Sequence, residues 1–249
     1  MTSNNSPDIT ICIPYFERIK LLNNAITSFE AMGYFKDDYP YKCAVAICDD
    51  GSTKQPIPED FRGNPGWLSL YWLPPKLEWK CPTEPLNLLV EKSRSPILLL
   101  QSPETYHIVP IIEAICNNMK TYKDVILVSV KRQKDNYWLS HPIRHNNSLW
   151  FCQAISYQFY REIGGMDDAF RDGYGGEDND FAIRLRNAGA KYKWLNPDRF
   201  HVVMEAHRKE GITREEANER HSKITMHLLN KRYGRDNVSK IRGFNEIVE

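Results

Sequence analysis

The chain has 249 residues, with hydrophobic residues at 41% and charged residues at 26%, the balance of a globular protein rather than a disordered segment or a coiled coil. At roughly 150 residues per domain, that length suits one large domain or two small, closely packed ones. Lys and Arg (33) nearly cancel Asp and Glu (32), leaving a formal net charge of +1, which gives no whole-molecule field for a polyanion and leaves only a local basic patch open.

In chain order, short apolar runs alternate with helical patterns, the signature of a parallel α/β sheet. Ile9 to Ile13 reads as a buried strand stopped by Pro14. Arg18 to Met32 follows as a helix, with Leu21, Leu22, Ala25, Ile26 and Phe29 at helical spacing and Gly33 as its stop. Cys43 to Cys48 is a second strand, closed by Asp49-Asp50-Gly51-Ser52, and Leu68 to Leu73 a third. Thr83 to Ser93 predicts a helix, and Pro96 to Leu100 a fourth strand running into Gln101-Ser102-Pro103-Glu104. A helix over Val109 to Met119 and one strand over Val125 to Val130 complete the alternation.

Beyond residue 130 the pattern fades. Lys131 to Asn147 is polar and irregular, and Leu149 to Tyr157 is apolar. A glycine-rich acidic stretch then runs from Gly164 to Asp180, followed by a helix carrying Phe181, Ile183, Leu185 and Ala188 and ending at Gly189. In the tail, Thr213 with Glu216 three residues on predicts a capping box. The helix it opens carries Ala217, His221, Ile224 and Leu228 on its apolar-leaning face and stops at Gly234.

The longest apolar runs fall far short of the ~20 residues that span a bilayer, so no transmembrane segment is expected. Met1 to Asp8 is polar, without an apolar signal core, so secretion is not expected either. Cys12, Cys43, Cys48, Cys81, Cys116 and Cys152 are scattered, with no C-x-x-C, and several sit in apolar runs. That is the pattern of buried free thiols, and it predicts a reducing, cytoplasmic setting.

In an open parallel sheet, ligands bind outside the carboxyl ends of the strands. Pro14-Tyr15-Phe16, Asp49-Asp50-Gly51-Ser52 and Gln101-Ser102-Pro103-Glu104 fall at such ends. Carboxylates there can accept from a base or ribose or hold a hard divalent cation. Asp-Asp-Gly-Ser also suits a plain turn, and Gln-Ser-Pro-Glu a plain loop. Gly175-Gly176-Glu177-Asp178-Asn179-Asp180 says more. Capping of the following helix accounts for one carboxylate, Asp180 or Asp178, but not for three, nor for two glycines that bring the backbone close to something. A carboxylate held there can serve as general base on a hydroxyl. His141 and His145 are four apart, but Pro142 disfavours a helical metal pair. His201, near an apolar strand end, suits either a structural role or a metal ligand. Lys131-Arg132-Gln133-Lys134 reads as a solvated loop, and Trp67, Tyr71, Trp72 and Trp79 as core aromatics before a sugar platform.

Taken in order, these segments resemble the GT-A type glycosyltransferases of family 2, with a carboxyl-terminal section similar to the family 7 galactosyltransferases. Ile11 to Arg18 is similar to the first strand and its Pro-x-Tyr-Asn-Arg turn, and Val45 to Ser52 to the second strand and its nucleotide-binding Asp-Asp-Gly-Ser. Pro85-Leu86-Asn87 stands where the family usually has Ala-Arg-Asn, and Gly164 to Asp180 resembles the acceptor-side Gly-Gly-Phe-Asp…Gly-Gly-Glu-Asp-x-Asp section. The likeness covers about residues 9 to 205.

The resemblance implies a Rossmann-like α/β fold with a mostly parallel central sheet flanked by helices. It implies a GT-A domain over 1–210, with a nucleotide-binding half to about 130 and an acceptor-side half from 131, and a helical extension over 211–249. The implied reaction is inverting transfer of a sugar from a nucleotide sugar, a UDP-sugar first, to an acceptor hydroxyl on a glycan, protein or modified nucleic acid. Pro14, Phe16 and Asp50 would line the nucleoside pocket, with Asn87 and Gln101 near the donor. Asp178 would be the general base and Glu177 would orient a sugar.

The family's Asp-x-Asp is here Gln101-Ser102-Pro103, with Glu104 the nearest carboxylate. Either Glu104 and His201 hold Mn²⁺ or Mg²⁺, with Pro103 aiming Glu104, or the metal is dispensable. A nucleotide-sugar-binding protein without catalysis and a metal-dependent nucleotidyltransferase are the rival readings. The latter lacks its usual glycine- and lysine-rich phosphate loop.

Overall fold

The computed structural model describes residues 6–93, 95–144, 151–205, 212–234 and 246–249. His145 and the end of the irregular stretch, 145–147, lie outside them. The chain runs β1 (Ile9–Tyr15), α1 (Ile19–Ala31), β2 (Cys43–Asp49), β3 (Leu68–Trp72), α2 (Thr83–Lys92), β4 (Ile97–Gln101), β5 (Thr105–His107) and α3 (Ile112–Asn118). It continues through β6 (Asp124–Leu127), β7 (Ser129–Arg132), β8 (Trp138–Ser140), β9 (Cys152–Ser156), α4 (Tyr157–Glu162), α5 (Glu177–Asn187), β10 (Lys191–Leu195) and β11 (His201–Met204). The tail holds α6 (Arg214–Arg220), a π turn (His221–Thr225), α7 (Met226–Tyr233) and β12 (Ile247–Val248).

The central sheet has eight strands in the order β12-β10-β6-β9-β4-β1-β2-β3. All neighbours are parallel except β9, which runs antiparallel between β4 and β6. The apolar runs form strands because both faces of this sheet are covered. Ile9, Ile11, Ile13, Val45, Ile47 and Leu99 enter one core with Leu22, Ile26 and Phe29 of α1. Their neighbours Cys12, Ala46, Cys48, Leu98 and Leu100 enter the other, with Leu86 and Leu89 of α2 and Phe181 and Leu185 of α5. A strand alternating between two apolar cores reads as a continuous apolar run.

Three sequence expectations need correction. Val125 to Val130 is two strands, because the chain leaves the central sheet at Val128 and enters a second sheet of order β5-β11-β7-β8. Leu149 to Tyr157 supplies the antiparallel β9, which the parallel alternation did not foresee. In the tail helix the buried residues are Ala217, Thr225 and Leu229. The π turn inserts a residue, which rotates the buried face from Ile224 and Leu228 onto Thr225 and Leu229. All six cysteines are free thiols. Among the described residues, no helix is long and apolar enough to cross a membrane.

Candidate active site

A cleft opens at the carboxyl ends of β1, β2 and β4, facing the start of α5. Pro14, Tyr15, Phe16, Arg18, Asp50, Trp79, Ser102, Glu104, Glu177 and Asp178 are among its lining residues. The two adjacent aspartates divide their work. Asp49 accepts the backbone N–H groups of Ser52 (2.8 Å) and Ile57 (2.9 Å) and so closes the turn. Asp50 faces the cleft and pairs with Lys76, which also lies 5.5 Å from the centre of the Phe16 ring. Burial pushes the Asp50 carboxyl up to about 6, against the opposing pull of Lys76. Burial likewise lowers the Lys76 ammonium. Gly51 makes the turn possible: its φ is +82°, and a Cβ there would stand 2.3 Å from the Pro74 carbonyl oxygen.

The first turn is equally built. Glu17, at φ 52°, accepts backbone N–H groups from Thr53, Lys54 and Gln55, and its own N–H donates to Ser52 Oγ at 2.9 Å. Burial alone would raise its carboxyl, but those donors outweigh it and hold the group below the usual range. Next to it, Arg18 donates from one nitrogen to both oxygens of Glu104, each at 3.1 Å, with both side chains 7% exposed. Among the described residues, Arg18 Nε and Nη2 are buried with no partner, as is Glu177 Oε2. The cleft thus presents buried donors and a buried acceptor that no described residue satisfies, and such groups are costly unless something meets them. Asp50 and Glu104 each stand beside a cation, and Glu177 and Asp178 add two carboxylates in the first turn of α5, at the positive end of its dipole.

Contrary to the sequence expectation of an Asp178 or Asp180 cap, no carboxylate caps α5. The N-cap is Gly176, without a side-chain cap. Asp178 Oδ1 accepts its neighbour's N–H, from Asn179. Asp180 is fully buried and holds Arg184 Nε (2.7 Å), Arg232 (2.9 Å) and the Tyr233 hydroxyl (2.6 Å). It ties α5 to α7 and does not line the cleft.

Of the residues predicted from sequence, Pro14, Phe16, Asp50, Glu104, Glu177 and Asp178 are brought together, while Asn87, Gln101 and His201 lie elsewhere. Asn87 shapes the glycine turn: its Oδ1 accepts from the Tyr160 hydroxyl and Met166 N–H, and its Nδ2 donates to the Met166 carbonyl. Gln101 is fully buried, donating to the Thr105 carbonyl and accepting from His107 Nε2, each at 2.8 Å. That network orients the Gln101 amide and places the His107 proton on Nε2, with the Tyr34 hydroxyl donating to Nδ1 at 2.8 Å. Burial drives the His107 pKa down to about 3, so the ring is neutral. His201 starts β11 opposite Ser129, packs beside Trp138 at 5.5 Å, and meets the Pro197 carbonyl through Nδ1. Glu104 instead neighbours Glu205 beyond the other end of β11, about 13 Å along the strand from His201 at ~3.3 Å per residue.

The donor set therefore does not fit the expected cation. Glu104 is committed to Arg18, His201 is at the far end of its strand, and no group of three His, Cys, Asp or Glu side chains among the described residues could hold a metal ion. Arg18 and Trp79 were missed as cleft residues. Arg18 stands in the first-turn motif itself, and Trp79 is both buried and cleft-lining. His141 has its own role, accepting the Ile143 and Arg144 N–H groups through Nδ1.

Comparison with known proteins bears on the fold. Residues 152–208 match the family model described as the N-terminal domain of galactosyltransferase. No curated protein matches the sequence. The fold is similar to the crystal structure of S. aureus TarS, with a TM-score of 0.64 and 14% identity over 94% of this chain and 42% of that one. TarS 1–349 in complex with UDP gives a TM-score of 0.63 at 15% identity, covering 94% of this chain and 69% of that one. GalNAc-T7 with UDP, GalNAc and Mn²⁺ gives 0.62 at 14%, covering 84% of this chain and 45% of that one. This chain thus spans less than half the length of full TarS. It has the GT-A glycosyltransferase fold and carries a galactosyltransferase-like section through β9, α5 and β11.

Proposed function

We propose that this protein transfers a sugar from a nucleotide sugar, with a UDP-sugar as first candidate, to an acceptor hydroxyl. The observation that carries the reading is the pairing, in one cleft, of buried donors on Arg18 with a buried acceptor on Glu177, none of which meets a partner among the described residues. A nucleotide sugar has both complements, phosphate oxygens for the first and sugar hydroxyls for the second. Phe16 and Trp79 supply an apolar wall for the base, and Asp50 an acceptor for a ring N–H.

In this mechanism Asp178 takes the proton of the acceptor hydroxyl as its oxygen attacks the anomeric carbon. The new carbon–oxygen bond forms as the bond to the diphosphate breaks, and the electron pair leaves with the diphosphate. Configuration inverts in that single displacement. Glu177 orients a sugar hydroxyl, and the free N–H groups of Arg18 face the leaving diphosphate, where charge develops. No step is assigned to Mn²⁺ or Mg²⁺, because the described donors do not fit one.

A thermal-shift panel of nucleotide sugars, with Mn²⁺ and with EDTA, tests the donor class, followed by assay of UDP release. At a hundredfold excess over Kd, binding adds about 2.7 kcal/mol, or roughly 5–10 °C for a chain of this size. The expected result is stabilisation by a UDP-sugar that survives EDTA, with UDP released when acceptor is present. Stabilisation that requires Mn²⁺ would return the cation to the site. Binding without release under any acceptor would leave a nucleotide-sugar-binding protein, and pyrophosphate release a nucleotidyltransferase.

A further inference from the structure

Two glycines of the loop before Glu177, Gly173 and Gly176, make room for a residue far along the chain. A Cβ on Gly173 would stand 2.6 Å from Thr225 Oγ1, and one on Gly176 would stand 2.3 Å from Thr225 Cγ2. Thr225 is fully buried and closes the π turn between α6 and α7. Its hydroxyl accepts the Tyr174 N–H at 3.1 Å and donates to the Gly175 carbonyl at 3.0 Å. One side-chain oxygen therefore satisfies the N–H of one residue and the carbonyl of the next in the loop that delivers Glu177 and Asp178.

The same helix reaches around the loop on both sides. His221 Nδ1 meets the Tyr174 carbonyl at 2.9 Å, and Leu229 lies 3.3 Å from the Gly176 Cβ position. Arg220 donates to the Trp79 carbonyl at 3.3 Å and pairs with Glu78, beside the Trp79 ring that packs edge-on against Tyr174 of the loop. Arg232 bridges Asp180 and Asp167. A regular α-helix would place Ile224 rather than Thr225 on this face. The π turn brings the hydroxyl to the loop, which is the kind of placement such turns serve at functional sites.

We infer that Thr225 is a positioning residue for the reaction: its hydroxyl, presented by the π turn, fixes the 174–176 backbone so that Glu177 and Asp178 face the cleft. The tail helix is thereby part of the active site rather than an appendage. The inference rests on the transferase reading for its kinetic consequence, but not for its structural one.

The experiment compares Thr225→Val, which keeps the size and loses the hydroxyl, with Thr225→Ser, which keeps the hydroxyl, in the full chain. Amide hydrogen exchange and steady-state kinetics are the readouts. Loss of the hydroxyl is expected to speed exchange at the Tyr174 amide by about tenfold and to lower kcat by about tenfold. Donor KM should stay within twofold, and the serine variant should match the wild type on every measure. A Tyr174 amide that exchanges as freely as a solvated loop in the wild type overturns the proposal without any variant. So does equal kcat in Thr225→Val and wild type, or a serine variant as impaired as the valine one. If the wild type releases no UDP from any donor while the amide pattern is as expected, the transferase reading falls and the clamp stands.

Discussion

Arg18 grips Glu104 through one nitrogen, 3.1 Å from each carboxylate oxygen, in a spot where both side chains are almost wholly buried. The pair occupies the position where the resemblance implied a metal motif, and it assigns Glu104 to a cation that the chain itself provides. Removing one partner of such a pair strands the other's charge, at a cost of about 3–5 kcal/mol. Glu104→Ala should therefore lose roughly that much stability in urea denaturation, and Arg18→Met should abolish UDP binding. Glu104→Gln is the informative variant: it should keep, or tighten, UDP binding measured in EDTA, since it frees the guanidinium charge. A metal-ligand role for Glu104 requires the opposite.

Acidic residues two positions apart in α5 should give opposite phenotypes. Asp180 is fully buried on Arg184, Arg232 and Tyr233, and losing it strips Arg184 of its carboxylate and leaves Arg232 with Asp167. Asp180→Ala should cost about 3 kcal/mol or more of stability, read by urea denaturation. Asp178, half-buried at the cleft, should tolerate Asn with less than about 1 kcal/mol lost, in the range of substitutions that break no buried network.

The Asp50–Lys76 pair predicts a pH dependence. The Asp50 pKa is raised by burial to about 6, so the carboxylate that accepts a base N–H is formed above that pH and lost below it. UDP affinity by calorimetry should fall as pH drops from 7.5 to 5, and the fall should vanish in Asp50→Asn. Lys76 lowers the Asp50 pKa, so Lys76→Met should move the loss of binding to higher pH. A profile unchanged by Asp50→Asn contradicts the assignment.

Gly51 offers a test of how the turn carries the site. Alanine there must take φ +82° and meet the Pro74 carbonyl at 2.3 Å. The backbone strain alone costs about 1–2 kcal/mol, and relieving the contact shifts the segment whose Lys76 N–H donates to the Gly51 carbonyl at 2.9 Å. Gly51→Ala should lower the melting temperature by several degrees and weaken UDP binding together.

Much of this was legible in the residues. The strands with both faces covered announced themselves as apolar runs, because Ile9 to Ile13 or Cys43 to Cys48 feed two cores in alternation. The strand-end rule then located Pro14, Phe16, Asp50 and Glu104. What escaped depended on tertiary partners. Nothing local tells an apolar run that Val128 is where the chain changes sheets, or that β9 enters antiparallel. A helical wheel cannot foresee the π turn that exchanges Ile224 for Thr225. Gln101 looked like an altered ligand because its partner His107 lies six residues on, across a turn, in the core. His201 looked available because its distance from Glu104 is set by the register of β11 against β5 and β7. Of the two adjacent glycines of the acidic loop, Gly176 did signal a close approach, by Thr225, while Gly175 has nothing within 4 Å of its Cβ position.

The most direct measurement of the central claim is single-turnover UDP release by wild type and Asp178→Asn, alongside the UDP Kd of each. General-base catalysis contributes typically ~10²–10⁴-fold, so the variant should lose about that much rate while its Kd stays within a factor of two. Equal rates in the two proteins would contradict the account, as would a variant that no longer binds UDP.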